Sequence, residues 1–175
     1  AEQKAAIAWL ARTIGGITRL PLAIDSSNVE VIQAGLEAVD PGAALDARDW
    51  AKARNISEQA LVGVTSGDDA AMAWRLEQIR LDALANDKQG QEIIVTLARL
   101  GMNQTYSPQI TPALYRSLAD KLKAAGDVNG AIDVLVAGDK KFPQEHEAFA
   151  KDVEGLKKGN LDPAQVERLK ALGYL

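Results

Sequence analysis

The sequence predicts an all-α fold, in which helical hairpins stack into a right-handed superhelix. Of the 175 residues, 47% are hydrophobic but only 5% are aromatic, and alanine is common. This composition favours closely packed helices over sheets, which are rich in β-branched and aromatic residues. In addition, apolar residues recur at helical spacing, and capping residues, glycine and proline separate the periodic segments. We therefore expect a continuous stack of helices.

Residues 19–38, RLPLAIDSSNVEVIQAGLEA, allow two interpretations. In the helical one, Ser27 is an N-cap, and Ser27 with Glu30 forms a capping box ahead of the next apolar stripe. In the other, residues 20–25 form a strand of an α/β barrel, and Asp25 lies at the carboxyl end of that strand. The second interpretation also requires a strand near residues 60–64.

Three further segments of the N-terminal part share a looser pattern, at residues 31–50, 58–74 and 92–102. Each has a short helix rich in Leu or Val that ends in a helix breaker, and the first two continue into an Ala-rich helix with a tryptophan. Trp9, Trp50 and Trp74 hold similar places, so we expect all three to be buried between helical units. The pattern resembles HEAT repeats, and we assign residues 1–106 to irregular repeats of this kind.

Residues 111–143, TPALYRSLADKLKAAGDVNGAIDVLVAGDKKFP, carry the clearest pattern in the chain. Thr111 is placed to cap a helix with Pro112 at its first position, where a missing N–H does no harm. The pair Gly126–Asp127 ends this helix and starts the next, which Phe142–Pro143 closes. The segment is thus predicted to be a helical hairpin.

This hairpin resembles a tetratricopeptide repeat. The residues that carry the resemblance are Tyr115, Leu118, Ala119 and Leu122 in the first helix, then Ala131, Leu135, Gly138 and Pro143. Leu122 and Leu135 stand where that family usually has aromatic residues. Because such repeats need neighbours to bury their apolar faces, we expect residues 107–175 to hold the hairpin plus C-terminal capping helices, continuous with the first part.

Several classes of chemistry are not expected. The net charge of −4 and the absence of a basic run argue against nucleic acid or anionic lipid as a partner. There is no cysteine, no phosphate-binding glycine loop and no apolar run long enough to cross a membrane. His146, the single histidine, is expected to be solvated at the start of a helix. From these observations together we predict no metal, no cofactor and no enzymatic activity. The composition is compatible with a cytoplasmic or an exported protein.

A stack of helical hairpins displays one helix of each pair along an extended inner surface, which suits a protein or peptide partner. By alignment with the tetratricopeptide pattern, the groove-facing residues of the first helix are Arg116, Asp120 and Lys123. If a peptide carboxylate docks there, Arg116 and Lys123 would donate hydrogen bonds to it. We therefore predict a non-enzymatic interaction module. Two further options are that it forms the C-terminal part of a larger bacterial protein and that it associates with itself.

Two alternatives remain at this point. Residues 5–38 also resemble part of the pterin-binding methyltransferase barrels, in which a helix, a Leu-Pro-rich strand and Asp-Ser-x-Asn lead into a helix. That resemblance implies that Asp25 and Asn28 contact a folate-type ring in a pterin- or corrinoid-linked methyl transfer domain. A complete barrel of this type needs on the order of 200 to 250 residues. The second alternative is a helical accessory domain packed on an enzyme.

Overall fold

The computed structural model describes residues 2–17, 41–63, 70–157, 163–171 and 173–174. Within these ranges the regular structure is entirely helical, which confirms the predicted all-α class. The α-helices are α1 (Glu2–Ile17), α2 (Pro41–Asp46), α3 (Trp50–Gly63), α4 (Ala70–Asn86), α5 (Gly90–Gly101), α6 (Pro112–Ala124), α7 (Val128–Lys141), α8 (His146–Lys157) and α9 (Pro163–Ala171). Short 3-10 turns at Ser107–Gln109 and Pro143–Glu145 precede α6 and α8.

The barrel alternative is wrong in the part of the chain that the structure describes. It requires extended backbone near residues 60–64, but residues 60–63 form the last turn of α3. No described residue forms a strand. Residues 20–25, the capping box at Ser27 and Glu30, and Asn28 lie outside the described residues.

The chain divides into two compact units, Ala1–Ala83 and Leu84–Leu175, and the division falls inside α4. The boundary predicted between residues 106 and 107 lies within the second unit. Helix α5 packs against α7 and therefore belongs to the same unit as the predicted hairpin.

In the first unit, residues of α2, α3 and α4 meet in a small apolar cluster that contains three buried alanines. The buried members of this cluster are Ala44, Ala53 and Ala83, and the partly buried residues packed against it are Leu45, Trp50 and Ile79. Trp74 is also partly buried. Trp9, in contrast, is 61% exposed on α1, so the prediction that all three tryptophans are buried is wrong for Trp9.

In the second unit, α6 and α7 form the hairpin that the sequence predicts. Thr111 Oγ1 accepts a hydrogen bond from the Leu114 amide at 3.3 Å, and Pro112 is the first residue of α6. Gly126 follows α6 with φ of +88°, a left-handed conformation that glycine adopts without strain. Asp127 Oδ1 then accepts from the Gly130 amide at 2.8 Å and caps α7.

Helix α7 lies at the centre of the second unit, because it packs against α5, α6 and α8. Its apolar residues are buried on several sides, as expected for a helix with three neighbours. The fully buried side chains of the unit include Leu118 and Leu122 of α6, Ile132 and Val134 of α7, and Phe149 and Val153 of α8. Helices α6 and α8 therefore both rest on α7.

The C-terminal helix α9 belongs to the second unit. Leu169 of α9 is fully buried, and Gly173, with φ of +79°, turns the chain after the helix. The phenol of Tyr174 donates a hydrogen bond to the Asp139 carboxylate on α7. From the sequence, Asp162 is predicted to cap this helix, and Asp162 lies outside the described residues.

Candidate binding groove between α6 and α8

The three predicted site residues lie together in one shallow groove with a volume of about 200 Å³. Arg116, Asp120 and Lys123 share one face of α6 because they are spaced four and three residues apart. The opposite side of the groove is formed by α8, through Lys151, Asp152, Gly155 and Leu156. Arg116, Asp120 and Lys123 thus form the α6 side of this groove.

The floor of the groove is apolar and its rim is charged. Ala119, Leu135 and Leu156 form the floor and are 3%, 2% and 6% exposed, respectively. The charged residues of α6 that line it are exposed, as is Lys151 on α8. Such a groove can bury a small apolar group of a ligand on its floor and bind a neighbouring polar group of the same ligand at its rim.

Arg116 is bound to Asp152 across the groove. The Arg116 Nε donates to Asp152 Oδ2, and Nη2 donates to Oδ1 at 3.3 Å, so the guanidinium contacts both carboxylate oxygens. The hydrogen bond to Asp152, together with its negative charge, raises the pKa of Arg116 above its usual value. Arg116 therefore already has an anionic partner, which the sequence prediction did not include.

Lys123 and Lys151, unlike Arg116, have no anionic partner among the described residues. Among the described residues, no hydrogen bond or ion pair joins either lysine ammonium group to another side chain. The groove contains three cationic and two anionic side chains, and one pair of them is neutralised by the contact between Arg116 and Asp152. The cationic groups left to bind a ligand are thus Lys123 and Lys151, with Asp120 beside them.

Sequence reasoning missed Lys151, Asp152 and Gly155. The repeat pattern was aligned on one hairpin, and the far side of the groove comes from the following helix, 36 residues away at the Arg116–Asp152 pair. The sequence does contain a pattern that could have identified these residues. It is the apolar stripe of Phe149, Val153 and Leu156, which determines the face of α8 that packs towards the hairpin. The residues beside that stripe could have been assigned to the groove from it.

A second polar cluster lies at the turn between α7 and α8. Asp139 Oδ2 is 2.9 Å from His146 Nδ1 and also accepts the hydrogen bond from the Tyr174 phenol. His146 is the first residue of α8 and its side chain is 61% exposed, as predicted, but the sequence analysis missed Asp139 as its partner.

The second cluster joins the C-terminal segment to α7 through the hydrogen bond from Tyr174 to Asp139. No group of three or more His, Cys, Asp or Glu residues able to hold a metal occurs in the described ranges. We therefore interpret Asp139 as a structural junction that holds the C-terminal segment.

Comparison of the chain with protein-family models, with curated proteins and with solved structures finds no match. Over the described part of the chain, none of the helices combines the length and the hydrophobicity that crossing a membrane requires.

Proposed function

We propose that this protein is a non-enzymatic helical-repeat module that binds a peptide segment of a protein partner in the groove between α6 and α8. The observation that carries this proposal is the groove itself, where an apolar floor lies between two lysines that have no partner among the described residues. Its three α6 residues are those selected from the sequence as groove-facing.

The packing of the second unit supports a repeat architecture of the tetratricopeptide type. Tyr115 and Phe149 are 34 residues apart, as are Leu122 and Leu156, and all four side chains are buried. This separation equals the length of a tetratricopeptide repeat. In such an architecture α6 and α8 are the first helices of successive repeats, and we propose that they line the inner surface of a right-handed superhelix.

The size of the groove favours a peptide over a small molecule. Its volume of about 200 Å³ lies below the range of about 300 to 1,000 Å³ that is typical of small-molecule pockets. It can accept one apolar side chain against Leu135 and Leu156. A peptide gains further contacts along the surface outside the groove, which a small molecule cannot do.

The charges favour a peptide with an acidic side chain. The groove is lined by the side chains of helices whose interior backbone N–H groups are used in helical hydrogen bonds. Terminal carboxylates are typically captured by free backbone N–H groups, whereas acidic side chains are recognised by clustered cations. We therefore propose that Lys123 and Lys151 bind the carboxylate of a Glu or Asp side chain that lies next to an apolar residue.

This proposal is tested with the full chain and fluorescein-labelled pools of heptapeptides that are acetylated and amidated at their ends. Each pool contains one Leu beside either Glu or Gln, so that the two pools differ only in the side-chain carboxylate. We expect fluorescence anisotropy to show binding of the Glu pool only. This binding should weaken with added NaCl, since salt screens exposed charges.

Two double variants test whether the peptides bind in the groove. The double variant Lys123→Ala/Lys151→Ala should lose about tenfold or more in affinity, which corresponds to about 1.4 kcal/mol per tenfold. The matched control Lys140→Ala/Lys170→Ala removes the same charge from exposed positions outside the groove and should bind normally. Equal binding of the Glu and Gln pools, or equal losses in both double variants, would show that the proposal is wrong. A dimer in sedimentation that the groove variant disrupts would instead make a second copy the occupant.

A further inference from the structure

Within the described part of the chain, no contact requires residue 155 to be glycine. It lies in the last turn of α8, it is exposed, and it lines the groove. A Cβ atom built at this position has no atom of the described chain within 4 Å. Its backbone is not in the left-handed region that favours glycine. As far as the described residues show, neither packing nor backbone conformation requires a glycine at this position.

Other helical glycines of the same unit are different. A Cβ atom on Gly138 would lie 2.7 Å from the Phe149 ring, and one on Gly90 would lie 2.7 Å from the Gly130 backbone. Those glycines permit close helix packing. Gly155 destabilises its helix, because glycine loses more backbone freedom on folding than alanine does. Unlike Gly90 and Gly138, it does not permit a close helix contact in return.

The position of Gly155 indicates what it provides. Gly155 is four positions after Lys151 in α8, so the two residues lie on the same face of this helix. Asp120 and Lys123 of α6 line the groove with them. A side chain at residue 155 would therefore occupy space in the groove. Glycine is the residue that lets another backbone approach a helix closely.

We infer that Gly155 is the point at which the main chain of a bound peptide lies against α8, and that it determines which ligands the groove admits. This inference rests on the proposed function. It adds that the bound segment is extended and passes close to α8, with its carboxylate directed to the lysines and its apolar side chain on the floor. A larger residue at position 155 should exclude such a segment without harming the fold.

The test compares three variants of the full chain with the same Glu-containing heptapeptide pool. Gly155→Ala should raise the unfolding temperature by about 1 to 3 °C, because alanine is the better helix former. Gly155→Leu should lower peptide affinity about tenfold or more without lowering the unfolding temperature. The control Glu154→Leu places the same side chain on the neighbouring exposed residue outside the groove lining, and it should bind the peptides normally.

The outcomes separate this inference from the proposed function. If Gly155→Leu binds like the unchanged protein while Lys123→Ala/Lys151→Ala does not, the inference is wrong and the proposed function stands. If Gly155→Ala lowers the unfolding temperature, glycine serves the fold and the inference is wrong whatever the binding. If the unchanged protein binds no pool, both are wrong.

Discussion

Gly90, at the start of α5, and Gly130, in the first turn of α7, are in direct backbone contact. A Cβ atom on Gly90 would lie 2.7 Å from the Gly130 Cα and 3.3 Å from its carbonyl oxygen. Both residues are buried. Only a residue without a side chain fits at this crossing, so this glycine pair sets how closely α5 and α7 approach.

Replacing Gly90 by alanine should therefore destabilise the protein. The atoms that a new methyl group would meet belong to the backbone of α7, and they cannot turn aside as the end of a flexible side chain does. We expect Gly90→Ala to lower the free energy of unfolding by about 1 to 3 kcal/mol, the usual cost of overpacking a core. Urea denaturation followed by circular dichroism measures this loss. Gly155→Ala is the matched control, and a similar loss at both positions would contradict the explanation.

Gly138 provides a second test of close packing, at the junction of α6, α7 and α8. A Cβ atom there would lie 2.7 Å from Phe149 Cε1 and 3.0 Å from Tyr115 Cβ. We expect Gly138→Ala to destabilise the protein by about 1 to 3 kcal/mol. Because the ring of Phe149 is the nearest obstacle, Phe149→Leu should cost less in the Gly138→Ala background than alone. A double-mutant cycle measures this coupling, and strict additivity of the two changes would show that the ring is not the obstacle.

The ion pair of Arg116 and Asp152 changes the effect on stability that we expect from reversing a charge in the groove. From the sequence, changing Arg116 and Lys123 together to Glu is expected to abolish partner binding and leave the unfolding temperature nearly unchanged. In the structure, Arg116→Glu also places a carboxylate against Asp152. The side chains of this pair are 45% and 30% exposed, and exposed ion pairs contribute at most about 1 kcal/mol. We therefore expect Arg116→Glu to cost up to about 1 kcal/mol at low salt and less at high salt.

The matching rescue is Arg116→Glu combined with Asp152→Lys, which restores opposite charges across the groove. Thermal unfolding at low and high NaCl concentration should show recovery of the lost stability in the double variant. If the swap recovers nothing at low salt, the contact between these two residues contributes no stability. The same proteins separate stability from binding, because Lys123→Glu alone should weaken binding of the Glu-containing heptapeptides without any loss of stability.

The parts of the fold that the sequence predicts are those fixed by local chemistry. The cap at Thr111, the proline after it and the cap at Asp127 act within three residues, so the limits of α6 and α7 could be predicted from the sequence. The α6 side of the groove followed from these limits, since helical spacing determines which residues share a face.

The parts that the sequence analysis missed depend on contacts between distant segments. Asp152 meets Arg116, and Asp139 meets Tyr174, only because α8 and the C-terminal segment pack where they do. The prediction for Trp9 failed for a related reason. Residues 5–9, AAIAW, are similar in sequence to residues 70–74, AAMAW. Burial depends on what covers a helix, however, and the Trp9 side chain is exposed on α1.

The contact of Tyr174 with Asp139 predicts how stability depends on pH. Burial, followed by the hydrogen bond to Asp139 and its negative charge, raises the pKa of the Tyr174 phenol well above the usual value of 10.0. Between these two pKa values the unfolded chain loses the phenolic proton while the folded chain keeps it. The stabilisation is therefore complete below about pH 10 and is lost as the pH rises towards the pKa of the folded state.

Tyr174→Phe isolates this effect. The variant should lose about 0.5 to 1.5 kcal/mol at neutral pH, the usual net value of one hydrogen bond. Its stability should also fall less steeply above about pH 10 than that of the unchanged protein. Part of the slope should persist, because burial also raises the pKa of Tyr115, which the variant retains. Urea denaturation at a series of alkaline pH values measures both slopes, and phenolate absorbance reports the titration itself. Identical slopes in the two proteins would mean that Tyr174 ionises freely and that Asp139 does not hold the C-terminal segment.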